Sequence, residues 1–282
     1  MSSDPPKPSE PGIAWASADV ASSWQRGAAA RGQALGPLTE LMLDLAGVTV
    51  GSRLLDVGAG SGDQTVLAAQ RVGPRGAVLA IDLSASMLDL ARQEVRAAGL
   101  QNVEARVMDA QRLDLEPGSF DAAIARFSLQ FVPDVPRALT EVRRVLKPGG
   151  RLAAVVFSSV EKNPFRAGPQ VIASRLAGRP FPEPGPGQWA LNDPGTLADA
   201  FRRAGFRDVA VRSVPFEYRF PSLADAMQNL KEAQPPLMKL VEQLTDADRV
   251  VAWAEIERSL RPFLGAEGLA GPAEALVATG VA

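Results

Sequence analysis

The sequence predicts an α/β fold, a mostly parallel sheet covered by helices, with a ligand site at the carboxyl ends of its strands. Three observations carry this. Leu54, Leu55 and Val57 form a short apolar run closed by Gly58, the pattern of a buried parallel strand. Gly58, Gly60 and Gly62 then alternate, so the backbone can turn tightly and lie against a ligand with no Cβ in the way. Gly76 to Asp82 (GAVLAID) is a second apolar strand, ending in an acid 22 residues beyond Gly60. There a neighbouring strand brings a carboxylate to a ribose, whose two hydroxyls it can accept from.

Composition narrows the chemistry. The 282 residues are 46% hydrophobic, ample for a core, and 30 Lys+Arg against 32 Asp+Glu leave a net charge of −2. Without a basic surface, no nucleic acid or anionic membrane is expected as a partner. The absence of cysteine excludes disulfides and thiolate chemistry, and the absence of histidine removes the usual general base and the commonest metal ligand. No metal site is expected. No apolar run approaches the ~18 residues of a membrane span, and the opening MSSDPPKPSEPG is polar and acidic. The expectation is a soluble, cytoplasmic monomer or homodimer acting on a small molecule.

The elements follow in order. Residues 1–12, with four prolines, read as a disordered tail. Ala14 to Gly32 holds Trp15 and Trp24 and reads as partly helical, and Gly36 to Leu45 as an amphipathic helix with Leu38, Leu41, Met42 and Leu45 on one side. Asp56, at the end of the first strand, is expected to face the crevice, and Asp63 to Arg71 to start a helix with its free N–H groups towards the ligand. Ser84 caps a helix through Met87, Leu88, Ala91 and Val95, which Gly99 ends. Asn102 to Met108 is the third strand, followed directly by Asp109, and Asp121 to Phe127 is the fourth. Asp134 is better explained as the cap of the helix from Val135 than as a catalytic acid. Lys147 to Gly150 turns into the fifth strand, Arg151 to Phe157. Asn163-Pro164 and Asp193-Pro194 each open a helix, and Arg179 to Trp189 between them reads as an extended surface loop. The second of these helices delivers the chain to a sixth strand, Arg207 to Phe220. Ser222 with Asp225, and Thr245 with Asp248, read as capping boxes; Met227, Leu230, Leu237, Met238, Leu240 and Val241 make an apolar surface, and Glu274 to Val281 is a last strand.

The ordered motifs LLDVGAGSG (Leu54 to Gly62), AIDLSASML (Ala80 to Leu88), VMDAQRLDLEPGSFDAAIARFSLQFVPD (Val107 to Asp134) and RRVLKPGGRLAAVVF (Arg143 to Phe157) resemble those of class I S-adenosylmethionine-dependent methyltransferases. The likeness covers about residues 40 to 215 and is nearest to the ubiquinone/menaquinone C-methyltransferase-like branch. It implies a Rossmann-like, seven-stranded, mostly parallel sheet with a reversed last strand between the fifth and sixth, flanking helices and a helical lid over the acceptor. It also implies a division into N-terminal helices covering the cofactor (13–50), a core (51–220, with an insertion at 158–192), a lid (221–266) and the last strand (267–282). The implied cofactor is S-adenosyl-L-methionine, leaving as S-adenosyl-L-homocysteine. Its implied contacts are Asp56, Gly58, Ala59, Gly60, Gly62, Gln64 and Thr65 in the first loop, with Asp82, Leu83 and Met87 in the second. Asp109 would accept from the adenine amino group, with the Ala110 N–H at a ring nitrogen, and Arg126 and Phe127 would lie beside the methionine, largely through main chain. Gln130, Phe131 and Trp24 are placed in the substrate pocket. Trp24 is better explained as a core residue, and Met87 is equally explained as a side chain facing the sheet.

Methyl transfer from a sulfonium is an in-line displacement that needs alignment and exclusion of water, so a chain without histidine can support it. Glu161, Glu217 and Tyr218 are candidates for accepting a proton, each also explained as an ordinary strand or loop residue, and no catalytic residue is assigned. An apolar, Met-containing lid favours a small, largely apolar acceptor such as a secondary metabolite or quinone precursor. Two alternatives stay open. One is a cyclase or regulator that binds S-adenosylmethionine without transfer. The other is an NAD-dependent oxidoreductase, against which Asp63 stands where the dinucleotide pattern needs its third glycine.

Overall fold

The computed structural model describes residues 28–183 and 185–282, so the tail at 1–12, Trp15 and Trp24 lie outside the described residues. One sheet organises the chain, from β1 (Arg53–Val57), β2 (Ala77–Asp82), β3 (Val103–Val107), β4 (Phe120–Arg126), β5 (Leu146–Phe157), β6 (Arg207–Phe220), β7 (Leu264–Gly265) and β8 (Gly268–Val281). The order is β3-β2-β1-β4-β5-β8-β6, with the two-residue β7 folded back on β8. β1 to β5 pair in parallel, while β8 runs antiparallel to both β5 and β6. This is the Rossmann-like sheet with a reversed last strand. The chain leaves β1 towards β2 on one side and returns to β4 on the other, and such a switch point opens a crevice at the strands' carboxyl ends.

The helices are α1 (Ala28–Leu45), α2 (Asp63–Val72), α3 (Ala85–Ala97), α4 (Val135–Val145), α5 (Pro164–Leu176), α6 (Pro194–Arg203), α7 (Leu223–Ala233), α8 (Pro235–Val241) and α9 (Asp246–Leu260). Their apolar stripes cover both faces of the sheet, which is why its central strands are nearly continuous in apolar residues. On one face Leu54, Val78, Ile124, Val155 and Val277 pack under Leu38 and Met42 of α1; on the other Leu55, Ala123, Ala154 and Leu276 pack under Leu139 and Val142 of α4 and Phe201 of α6. Ser84, Asp134, Asp193, Ser222 and Thr245 each accept a backbone N–H three residues on, as their positions predicted. Asn163 does not cap in this way. Its Nδ2 donates to the carbonyls of Ser158 and Ser159, and its Oδ1 accepts the Glu274 N–H at 3.0 Å, tying the start of α5 to β8.

Four boundaries differ from the sequence expectation. α1 runs unbroken from Ala28 to Leu45, where a separate helix from Gly36 was expected. β8 begins at Gly268 rather than Glu274, because Gly271 and Pro272 read as loop residues yet serve the strand. A Cβ at Gly271 would meet the Phe165 ring at 2.5 Å, and Pro272 pairs only with Glu217, where β8 has not yet reached β5. β5 starts at Leu146 and so includes Lys147 to Gly150, expected as a turn, which joins the strand through an irregularity opposite Phe120 and Ala122. The stretch Arg179 to Trp189 is not wholly a surface loop, since Gln188 and Trp189 are buried. In α7 to α9, Leu230, Leu237, Val241, Ile256 and Leu260 pack inward on the same core as β5 and β8. No described helix is long and apolar enough to cross a membrane.

Gly62 sits in the left-handed region at φ 88° and faces Ala91 of α3, whose Cα and Cβ lie 2.7 Å from where a Cβ would be. It therefore sets how closely α2 and α3 approach. Gly62→Ala should lower stability by about 1–3 kcal/mol through overpacking and backbone strain, read as a lower urea midpoint.

Candidate active site

A cavity opens at the switch point, walled by the ends of five strands. Val57 to Gly60 follow β1, Ile81 to Leu83 end β2, Met108 to Gln111 follow β3, Arg126 to Ser128 end β4, and Phe157 ends β5. Arg31 and Leu35 of α1, Arg166 of α5, Gln188, Tyr218 of β6 and Pro236 of α8 close the far side.

The first loop is held from within. Asp82 accepts the Gly60 N–H at 2.9 Å through one oxygen and the Ser84 N–H at 2.9 Å through the other. Burial pushes this carboxyl above its ordinary value of 3.8, against those backbone bonds. Since a carboxylate offers about four acceptor positions, acceptor capacity remains for a ligand. A Cβ at Gly60 would stand clear of every protein atom within 4 Å, in the cavity itself. Leu83, 43% exposed, and Met87 add an apolar wall beside it.

Asp56 does not face the crevice as expected. It is fully buried beneath the loop, where Thr65 Oγ1 donates to one oxygen at 2.6 Å and Gln64 Nε2 to the other, bracing α2 against β1. Burial raises its carboxyl to about 6, against those two bonds. Gly62 and Thr65 likewise stay behind the cavity wall, whereas Gly58, Ala59, Gly60, Gln64, Asp82, Leu83, Met87, Asp109, Ala110, Arg126, Phe127, Gln130 and Phe131 line it. Asp109 is already engaged, because its carboxylate accepts the Gln111 N–H at 2.8 Å and Gln111 Nε2 at 3.0 Å. Gln111 was missed, although an Asp with a donor two residues on is the signature of an Asx turn.

Arg126 contributes its side chain and not merely its backbone. Its guanidinium donates to Thr39 Oγ1 at 2.6 Å and to Asp63, and Arg31 reaches the same Asp63 oxygen at 3.9 Å and donates to Ser61 Oγ at 3.0 Å. Burial pushes the Asp63 carboxyl up, but the two arginines outweigh it and hold it below the usual range. This cluster was unforeseen, because the partners lie on α1, α2 and β4. Next to it Phe127 adopts φ 53°, rare for an aromatic residue, and stacks on Phe157 with ring centroids 4.2 Å apart. Of the proton-accepting candidates, only Tyr218 reaches the cavity. Glu161 is exposed, and Glu217 points away from Tyr218 by strand alternation and pairs with Arg219 at 2.6 Å.

Comparisons with known proteins decide the family. The sequence model of the ubiE/COQ5 methyltransferase family matches residues 39–176. The nocamycin O-methyltransferase of Saccharothrix syringae is 32% identical over 245 residues, covering 79% of this chain and 83% of that one. The chain belongs to the ubiE/COQ5 methyltransferase family. The demethylmenaquinone methyltransferase of Listeria welshimeri is 41% identical over 108 residues, 38% of this chain, which spans about half (46%) of that protein. The crystal structure of the cyclase SpnF superposes at a TM-score of 0.52 with 23% identity, over 86% of this chain and 80% of that one, a likeness of fold alone. The enzyme is thus an S-adenosylmethionine-dependent methyltransferase, and an NAD-dependent reading falls away. The half-buried Asp63 at the would-be third glycine agrees, since its carboxylate is committed to Arg126. The open cradle at Gly60 and the spare acceptor positions of Asp82 fit the nucleoside of this cofactor.

Asp82→Ala should weaken S-adenosylmethionine binding about ten- to hundredfold by calorimetry, the loss of ~1.5–3 kcal/mol from a charge-assisted partner. Accepting from two hydroxyls in addition to the two backbone N–H groups needs the full acceptor capacity of the ionised form. Affinity should therefore fall with decreasing pH as Asp82 takes up its proton, starting at a higher pH than an ordinary aspartate would allow, and the Asp82→Asn variant should lack this dependence.

Proposed function

We propose that this methyltransferase transfers a methyl group to a small, ring-bearing acceptor, and that both reactants share the one cavity. The observation that supports this most is the continuity of that cavity. It runs from the polar cradle of Gly60 and Asp82 to an aromatic wall of Phe127, Phe157 and Tyr218 without a dividing element. When bound, S-adenosylmethionine supplies a methyl carbon already activated by a sulfonium.

The chain's own residues then bind, orient and exclude water. Asp82 accepts from the ribose hydroxyls, Leu83 and Met87 flank the base, and Asp109 with Gln111 meets the exocyclic amine of the adenine. Around Asp63 two guanidiniums face one carboxylate, so the cluster suits the carboxylate of the methionine moiety. The stacked Phe127 and Phe157 form a dry, rigid face against which an acceptor ring can lie, which restricts its approach as in-line displacement requires. Nothing in this arrangement demands a strong base, in keeping with a chain that has no histidine or cysteine. Relatives named for nocamycin and demethylmenaquinone support a secondary metabolite or quinone-like acceptor. Helices α7 to α9 would serve as a lid chiefly through Pro236, the residue of residues 221–266 that lines the cavity among those described.

Calorimetric titration with S-adenosylmethionine, S-adenosylhomocysteine and NAD in parallel tests the reading. Micromolar binding of the two sulfur nucleosides and none of NAD is expected, followed by S-adenosylhomocysteine release with a quinol or phenol in an acceptor screen. Binding without release across the screen would favour a non-transferring role. Glu161→Gln and Glu217→Gln should each leave turnover within about twofold, since both side chains stand outside the cavity.

A further inference from the structure

The acceptor end of the cavity carries polar groups that cofactor binding does not explain. Gln130, fully buried, has no partner for Oε1, and Gln188, 6% exposed, has none for Nε2. Their amide orientations follow from one fixed donor. The Trp189 indole can only donate, and its Nε1 bonds Gln170 Oε1 at 3.1 Å. That leaves Gln170 Nε2 to donate to Gln188 Oε1 at 3.1 Å, so the Gln188 NH2 group is the free end of the chain. Gln130 Nε2 donates to the Gln188 carbonyl at 3.3 Å, which frees its Oε1. The Gly187 N–H bonds the Gln130 carbonyl at 2.8 Å, holding the two residues side by side. Buried amide groups left open in this way are costly unless a ligand completes them.

Arg166 adds a charge. It lies one turn before Gln170 on α5, and its guanidinium stands over the rings of Phe157 at 5.6 Å and Tyr218 at 5.4 Å. Its Nε is buried without a hydrogen-bond partner, and among the described residues no carboxylate forms an ion pair with it. A cation held between two aromatic faces at the wall of a cavity, and left without a protein anion, suits an anionic ligand.

We infer that the acceptor is a carbonyl compound with an acidic hydroxyl, an enol or vinylogous acid, held as its anion by Arg166 and read by Gln188 Nε2 at a carbonyl and Gln130 Oε1 at a hydroxyl or N–H. This rests on the methyltransferase reading above and narrows its substrate class. An acceptor that arrives ionised brings its own electron pair. The new bond to the methyl carbon forms as the carbon–sulfur bond breaks, that bond's pair leaves with sulfur, and no proton passes to the protein.

Two probes separate the charge from the ring, 2-hydroxy-1,4-naphthoquinone and its 2-methoxy ether, titrated at pH 7 into protein saturated with S-adenosylhomocysteine. The absence of cysteine removes thiol addition as a side reaction. The hydroxy compound should bind at least tenfold tighter than the ether. Arg166→Gln should cut its affinity about ten- to hundredfold while changing that of the ether by less than about twofold, and Arg166→Lys should recover part of the loss. Gln188→Glu, of the same shape and still able to accept from Gln170, should weaken the anion more than the ether. Equal binding of the two probes, binding of neither, or an Arg166→Gln loss as large for S-adenosylhomocysteine as for the hydroxy probe would each overturn the proposal. Failure of the unaltered protein to bind S-adenosylhomocysteine overturns instead the reading beneath it, and the proposal with it.

Discussion

The contact of Asp63 with Arg126 and Arg31 is the constraint on which the site depends. It joins three elements that the sheet alone does not hold in register, namely α1, the first turn of α2 and the end of β4. Removing charges from water is costly, and two cations sharing one carboxylate is an unbalanced arrangement, eased because Thr39 accepts from one guanidinium nitrogen of Arg126 and Ser61 from one of Arg31. Loss of Asp63 would leave two like charges facing each other in a nearly dry setting. The cluster therefore fixes the floor of the cavity and also biases its potential towards anions.

Around that floor the wall is built by bracing from behind. Asp56 pulls the first turn of α2 against β1, and Asp82 holds Gly60 at the loop's apex. Ser128 donates to the Val57 carbonyl at 2.7 Å, locking the exit of β4 to that of β1. A Cβ at Gly58 would fall 2.3 Å from the Ser128 Cβ, so the two loops lie as near each other as glycine permits. The positive φ of Phe127 then turns its ring onto Phe157.

The cofactor half of this arrangement was legible in the sequence because its signals are local. A strand, a glycine run, a second strand with a terminal acid and a capped helix fall within a stretch whose spacing is set by βα geometry, and the structure shows each where it was read. What escaped was of two kinds. Asp56 was misplaced because strand position says that a side chain is near the crevice but not which way it turns; two donors in the first turn of α2 captured it. Arg31, Arg166 and Gln188 escaped because their meaning comes from partners up to several elements away, and a glutamine in a Gly/Pro-rich segment gives no sign that it will be buried. Glu217 and Tyr218 show the limit sharply, since one step along β6 separates a solvated ion pair from a cavity wall.

The family match ends at residue 176, where α5 also ends, while Gln188, Tyr218 and Pro236 lie beyond it. The two halves of the cavity thus come from different parts of the chain, the donor side from the first half and much of the acceptor side from the second. Such a division lets one half drift while the other stays put. Substitutions at 188, 218 or 236 can reshape the guest without disturbing the loop that holds the common reagent, which is the layout expected of a scaffold diversified by changing what it modifies rather than how.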